Sequence, residues 1–323
     1  MRVIKKVSMM KQIYNICEGG GSYGMGHVVR SFSFCNLIQV ERKVQSFIKI
    51  NTDIKKIEKI NFYFTNYKLY LDENSIFKQI PKNSIVIIDG YHFDIKLVNS
   101  LSKKLNWRVI FISDVHTKIP NCEVLINHLP YVKESSFTSE IHKKLIGIKY
   151  AILRKPFYEK PNNHKKDRIL ICLGNSKVSN EIKNIYNSLF KFGIDCSKID
   201  IIFKSQIKEI PNQNIHININ AQKVYELISK AKLCFITPGN ISYEVFSINR
   251  NCILGSISET QISPAKEFEK MGLCVDVGKW SSADFNNLEQ WIDKSKSTVN
   301  NQEKNFNNLS LYNIKNELTY LNL

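Results

Sequence analysis

The sequence predicts an α/β protein made of two Rossmann-like, doubly wound domains that face each other across a cleft. Three observations carry this. Short strand-like runs alternate with helical patterns along most of the 323 residues. The runs are continuously apolar, as strands covered on both faces require, rather than alternating. The alternation pauses once, at the polar, proline-containing PNNHKKD (161–167), and then starts again. Strand–helix alternation implies right-handed crossovers and parallel sheets, so the restart implies two such units. The expected units are 1–160 and 161–323, with the last helix able to pack back on the first.

In the first unit the expected strands are QIYNIC (12–17), KVQSFIKI (43–50), SIVIID (84–89), RVIFIS (108–113) and EVLIN (123–127), with a helix over 27–40. In the second they are RILICLG (168–174), IDIIFK (199–204), IHINI (215–219), KLCFIT (232–237) and NCILGS (251–256). Helical patterns follow at 178–192, 221–231, 241–248, 262–271 and 302–321. Each unit opens with a strand that runs into a glycine loop ahead of a helix: NIC-EGGG in the first, LIC-LGNS in the second. Ligands of open α/β sheets bind beyond the carboxyl ends of the strands, where both loops lie. One cleft between the units can be lined by both.

Composition narrows the classes. Hydrophobic residues make up 43%, with 18 Phe and 14 Tyr, which supports a filled core and excludes a disordered chain. The eight cysteines form no CxxC pair and sit mostly inside apolar runs such as ICLG and LCFI. They read as buried free thiols rather than a disulfide framework or a zinc site. No run of about 18 apolar residues is present, and the N-terminus lacks the apolar core of a signal peptide, so a cytoplasmic protein without stable membrane insertion is expected. Net charge is +17, from 46 Lys and Arg against 29 Asp and Glu. An excess of this size favours anionic partners. It is dispersed among abundant Lys, Asn and Ile, as on a solvated surface, and forms no long basic block.

The stretch GGGSYGMGHVVR (19–30) holds five of the chain's 13 glycines within eight positions. It contains G-x-G-x-x-G at Gly19, Gly21 and Gly24, which on its own is weak evidence for a nicotinamide site. That reading wants an acidic residue at the end of the second strand, whereas here the strand runs out at Asn51, with Asp53 late. The tighter feature is Gly24-Met25-Gly26-His27, with Arg30 one turn on. A helix that starts near Gly26 turns free N–H groups and a positive dipole end toward the cleft, which suits an anion. The same dipole disfavours protonation of His27, so a neutral imidazole there can act as a general base. The alternative is that His27 only caps its helix.

In the second unit TPGNISYEVF (237–246) gives a strand end, a turn through Gly239 and Asn240, and a helix bearing Ser242 and Glu244. A glycine turn that opens a helix can receive a diphosphate on backbone amides, and a carboxylate near its start can accept both hydroxyls of a ribose. Glu244 is equally readable as a favourable first-turn acid.

With these pieces in place, the chain resembles the UDP-sugar hydrolase family of pseudaminic acid biosynthesis, grouped with spore-coat polysaccharide proteins of similar sequence. That family is a cousin of the glycosyltransferase that makes lipid II and shares the glycosyltransferase-B fold. The likeness runs over roughly 12–280 in collinear order. It is carried by GMGHVVR (24–30), IIDGYHFD (87–94), FISDVH (111–116), CEVLINHLPY (122–131) and GIKYAILRKPFYE (147–159). ICLGNS (171–176), ITPGNISYEV (236–245) and QISPAKEFEKMG (261–272) continue it. The resemblance implies hydrolysis of a UDP-linked diacetamido-trideoxy sugar without metal or cofactor. Water attacks the anomeric carbon and UDP leaves.

His27 matches the family's presumed base and Tyr91 its sugar-side aromatic residue. Glu244 matches the carboxylate on the uridine ribose, with Ser242 in the same turn, and Gly174 matches the first glycine of the loop after the first C-terminal strand. Gly24, Gly26, Arg30, Asn175, Gly239, Asn240, Thr260 and Gln261 complete the expected binding set. The chain departs from the family at Gly174-Asn175-Ser176-Lys177, where Gly-Gly-Thr-Asp is common, and at Thr260-Gln261, where Asn-Gln is common. Both departures bear on how the phosphates and the sugar are approached.

Two rivals stand beside hydrolysis. An inverting glycosyltransferase would use the same cleft and the same histidine toward an acceptor hydroxyl. A basic nucleic-acid-binding protein would use the charge, with Tyr63, Tyr67 and Tyr70 available to stack on bases, although an edge strand with half-exposed aromatics explains them more simply. A UDP-sugar is the expected partner, and no nucleic acid. Asp114, His116 and His128 are separated across a strand end and a following element, which fits a metal site poorly. Asp89, at the end of a buried strand, is expected to orient Tyr91 or loop amides.

Overall fold

The computed structural model describes residues 12–20, 23, 25–38, 44–51, 67–115, 118–137, 140–158, 167–174, 178–306 and 311–321. The first lobe runs β1 (Ile13–Glu18), α1 (Gly26–Ile38), β2 (Val44–Lys49), β3 (Tyr67–Tyr70), α2 (Glu73–Phe77), β4 (Ile85–Asp89), α3 (Ile95–Leu105), β5 (Arg108–Ile112), β6 (Val124–Asn127) and β7 (Lys143–Ile146). The second runs β8 (Arg168–Cys172), α4 (Ser179–Lys191), β9 (Ile199–Ile202), β10 (Ile215–His216), α5 (Ala221–Lys230), β11 (Ala231–Ile236), α6 (Asn240–Ser247), β12 (Asn251–Ser256), α7 (Ile262–Lys270) and β13 (Val275–Lys279). Helices α8 (Leu288–Ser295), α9 (Thr298–Phe306) and α10 (Leu311–Leu318) close the chain.

Strand order is β3-β2-β1-β4-β5-β6-β7 in one sheet and β10-β9-β8-β11-β12-β13 in the other, and every pairing is parallel. Each sheet thus reverses direction between its first and fourth strands in chain order, the switch point where open α/β sheets bind ligands. The continuous apolar runs have a simple cause. Val86 and Ile88 pack into one layer of core while Ile85 and Ile87 pack into the opposite one. Ile169 and Ile171 divide from Leu170 and Cys172 in the same way.

Three strands and three helices have no counterpart in the expected set. β3, β7 and β13 lie at sheet edges and are only partly buried, so YKLY, KKLI and VDVGK carry no apolar run. β3 carries Tyr67 and Tyr70 and is the edge strand anticipated for those aromatics; Tyr63 lies outside the described residues. The short α2, together with α3 and α8, was likewise not anticipated. The single helix expected over 302–321 is two. α9 ends on Phe306 in the second lobe's core, whereas Ile314, Leu318 and Leu321 pack into the first lobe's core with Ile13 and Phe34. Lys143 pairs with Glu317, and Arg108 Nη1 donates to the Leu321 carbonyl at 2.9 Å, so α10 is fixed to the first sheet. All eight cysteines are free and seven are buried.

Candidate active site

The crevice is built where the two switch points meet. At Gly19 a Cβ would stand 2.3 Å from the Val28 Cγ2 atom, so only glycine lets α1 pack this closely on the end of β1. That contact sets Gly26 and His27 at the first turn of α1. Two bonds tie this region to the second lobe: Asn240 Nδ2 donates to the Gly26 carbonyl at 3.2 Å, and the Tyr243 hydroxyl donates to the His128 carbonyl at 2.9 Å.

Behind His27 lies a buried ionic cluster. Asp89, the last residue of β4, has no exposed surface. Its Oδ1 is 2.7 Å from His27 Nδ1 and 2.6 Å from Arg30 Nη2, and its Oδ2 accepts from Arg30 Nε at 2.9 Å. Arg30 Nη1 reaches on to Asp114 Oδ2 at 3.1 Å. Arg30 Nη2 also lies 3.0 Å from His27 Nδ1, but an arginine donates only, and so does an Nδ1 that carries its proton. The carboxylate is the stronger partner for Nδ1–H, which leaves the lone pair on Nε2. Arg30 was expected to hold substrate. Instead it is 2% exposed, lines neither cavity described below, and is spent on two carboxylates. Its charge holds both carboxyls of the pair below the ordinary aspartate range, against burial, which pulls the other way.

Asp89 was expected to orient Tyr91 or loop amides, but that task falls to Glu18. The Glu18 carboxylate, fully buried at the end of β1, accepts from the backbone N–H of Tyr91 at 2.7 Å and of His92 at 2.9 Å. A Cβ on Gly90 would lie 2.6 Å from Glu18 Cγ, so the loop can be gripped this way only around a glycine. Lys49, which ends β2, bonds Glu73 Oε2 and the His92 carbonyl, both at 2.6 Å. A lysine at the end of the second strand is the opposite of the ribose-binding acid a nicotinamide site needs. Tyr91, so held, sets its ring edge-on to His27 with centroids 4.5 Å apart.

Two cavities flank this contact. The larger, about 630 Å³, is lined from the first lobe by Tyr91, Asp114, Lys118, His128 and Tyr131. Gly239, Asn240, Tyr243, Thr260 and Gln261 line it from the second. The smaller, about 310 Å³, is bounded by Met25, Gly26, Arg154, Gly174, Phe203, Lys204, Asn240 and Glu244. Asn240 borders both. His27 is 7% exposed and lines neither, but Gly26 and Tyr91 on either side of it line one each.

Most of the expected residues are therefore gathered at one crevice, and a few stand behind it. Gly174 adopts φ 86°, a left-handed conformation that favours glycine. Glu244 is 2% exposed and forms a bidentate pair with Arg154, with Nε to Oε1 at 2.6 Å and Nη2 to Oε2 at 2.5 Å. Ser242 is fully buried and bonds the Gly239 carbonyl at 2.6 Å, so it shapes the turn rather than the cavity wall. Thr260 shares a hydrogen bond with Ser258 at 3.0 Å, and the Gln261 side-chain carbonyl accepts from Ile257 N–H at 2.9 Å. Gly24, Asn175 and His116 lie outside the described residues.

The larger cavity is chemically uneven. His128 is 3% exposed, and burial, reinforced by the charge of Arg30, lowers its pKa to about 3, so it is neutral at pH 7. Among the described residues its Nδ1 has no hydrogen-bond partner, and neither does Asp114 Oδ1. The Tyr91 phenol is held well above the ordinary tyrosine range by desolvation and by the Asp114 carboxylate, and stays protonated. Among the described residues no three His, Cys, Asp or Glu side chains converge as metal ligands, and no helix is long and apolar enough to cross a membrane.

Glu18, Arg154 and the pairing role of Asp89 were not anticipated. The available signal was a charged residue closing an otherwise apolar strand, as in IYNICE, VQSFIK and IVIID.

No family model matches the chain. In sequence it is 28% identical to an uncharacterized protein of Methanocaldococcus jannaschii over 78% of this chain and 60% of that one. It is 26% identical to the UDP-2,4-diacetamido-2,4,6-trideoxy-β-L-altropyranose hydrolase of Campylobacter jejuni, over 65% of this chain and 82% of that one. A Helicobacter pylori protein that joins a pseudaminic acid cytidylyltransferase to the same hydrolase is 23% identical over 88% of this chain, which spans 52% of its length. Among solved structures, the calicheamicin glycosyltransferase CalG4 superposes with a TM-score of 0.61 at 10% identity, covering 97% of this chain and 98% of that one. MurG of Acinetobacter baumannii gives 0.60 at 13% identity, with 96% and 99% covered. The chain thus has the two-lobed fold of the glycosyltransferase-B enzymes and is similar in sequence to hydrolases of a UDP-linked diacetamido sugar.

Proposed function

We propose that the protein is an enzyme acting on a nucleotide sugar, and that it hydrolyses a UDP-linked diacetamido-trideoxy sugar in nonulosonic acid or surface-glycan biosynthesis. The single observation that carries this is the His27–Asp89 contact of 2.7 Å, set behind Gly26 and Tyr91, each of which lines one of two cavities bounded by both lobes. In this reading the nucleotide occupies the smaller cavity, with its diphosphate toward the first turns of α1 and α6. Glu244 faces the ribose, and Phe203 and neighbouring apolar side chains face the base. The sugar lies in the larger cavity against Tyr91.

His27 Nε2 takes a proton from water as the water oxygen bonds to the anomeric carbon. The bond from that carbon to the diphosphate oxygen breaks, and UDP leaves with the oxygen. Asp89 fixes the imidazole tautomer and stabilises the imidazolium that forms, while Arg30 keeps Asp89 ionised.

The test is UDP release from a UDP-linked diacetamido sugar with no acceptor present. His27→Ala is expected to lose about 10²–10⁴-fold in rate, the usual contribution of a general base, while UDP binding stays nearly intact. Unchanged turnover in that variant would remove the proposed base. UDP release wholly dependent on an added acceptor would turn the reading to a glycosyltransferase, which the fold accommodates equally. Steeply salt-dependent retention on an oligonucleotide column, without UDP binding, would favour the nucleic-acid reading.

A further inference from the structure

The chemistry above leaves two groups of the larger cavity unused. Asp114 Oδ1 and His128 Nδ1 are buried polar atoms on side chains that line it, and neither has a hydrogen-bond partner among the described residues, although the Tyr91 hydroxyl stands near the Asp114 carboxylate. Buried groups of this kind are nearly always hydrogen-bonded in folded proteins, and leaving them bare costs stability. Their side chains are otherwise fixed. Asp114 is held through its other oxygen by Arg30 at 3.1 Å. His128 packs edge-on to Tyr243 with centroids 4.8 Å apart, and its carbonyl takes the Tyr243 hydroxyl. Both line the same cavity, and the Asp114 carboxylate acts electrostatically on the His128 imidazole. An ionised carboxylate only accepts, and a neutral imidazole offers one donor and one acceptor.

We propose that Asp114 and His128 are the pair that determines which sugar the cavity accepts, by hydrogen bonding together to an acylamino substituent. This rests on the nucleotide-sugar reading and assigns the specificity within it to two residues outside the reaction. An amide presents N–H and C=O on neighbouring atoms, so its N–H meets Asp114 Oδ1 and its carbonyl meets an imidazole N–H. Its methyl has apolar wall to rest on in Phe111, Leu129, Pro264 and Phe268. A hydroxyl carries its donor and acceptor on a single atom, whereas the amide spreads them over neighbouring atoms, and a hydroxyl would leave that wall uncovered.

The test compares calorimetric affinities for UDP, for a UDP-linked diacetamido sugar, and for the UDP-sugar with hydroxyls in place of the acetamido groups. These are measured on the wild-type chain and on His128→Leu, His128→Gln and Asp114→Asn. In the wild type the acetamido groups are expected to add affinity over the hydroxyl analogue. That preference should fall about 10–100-fold in His128→Leu and Asp114→Asn, the range for a buried hydrogen bond left unmade. It should return largely in His128→Gln, which restores an amide donor and acceptor, while UDP itself binds all four proteins alike. A preference retained in His128→Leu, or lost equally in His128→Gln, overturns the assignment. So does a wild-type chain that binds UDP but gains nothing from the acetamido groups. If UDP itself fails to bind the wild type, the nucleotide-sugar reading falls, and the assignment falls with it.

Discussion

The two lobes share a strand order and place their first glycine loops at the same point, yet they furnish that point differently. In the first lobe the switch point is backed by Asp89, Arg30 and Asp114, a buried chain of charges with His27 at its outer end. In the second, the corresponding turn at Gly239 and Asn240 stands beside one ion pair, Glu244 with Arg154, that itself borders a cavity. A scaffold that delivers strand ends to a crevice does not dictate what waits there. The first lobe sets buried carboxylates and a guanidinium behind its histidine, and the second sets a glycine turn and one carboxylate beside a cavity.

That contrast is broken most directly at Asp89. Asp89→Ala leaves Arg30 short of a partner in a fully buried place and is expected to cost about 3–5 kcal/mol of stability, read from a urea melt. Glu244→Gln, in the helix that follows the matching strand of the second lobe, should cost far less, because Arg154 is part-exposed. Equal losses would mean that the two ion pairs do the same work. His128 gives an intermediate effect that depends on pH. Its folded pKa, about 3, lies below the ordinary histidine value of about 6.5, so between the two the unfolded chain binds the extra proton. Stability attributable to His128 is therefore lost as the pH drops through that window. His128→Leu should flatten the acid limb of a thermal-melt series there; an unaltered limb would show that His128 is not buried neutral. The smallest effect is on the ligand side: Glu244→Gln should weaken UDP binding by about tenfold, the usual scale for one charge-assisted contact, and leave the pH dependence of turnover unchanged.

The fold was legible because strands buried on both faces cannot hide their composition. Ile85 to Ile88 advertise two cores at once, whereas edge strands such as Lys143–Ile146, covered on one side only, resemble loop sequence. The candidate site was legible where a side chain at the crevice follows its own glycine turn, as His27 and Glu244 do. It was illegible where partners meet across the chain. Arg30 looked like a ligand residue because its carboxylates lie 59 and 84 residues away, and Glu18 reaches the Tyr91 loop across 73 residues. Such pairings depend on strand order, which no local pattern encodes.

The return of α10 to the first sheet carries a mechanical corollary. The polypeptide enters the second lobe beyond β7 and is back on the first by Ile314, so the chain crosses between the lobes twice. Because Ile314, Leu318 and Leu321 fill part of the first core, a chain cut after Phe306 would leave Ile13 and Phe34 uncovered, and the first lobe would owe its integrity to residues made after the second.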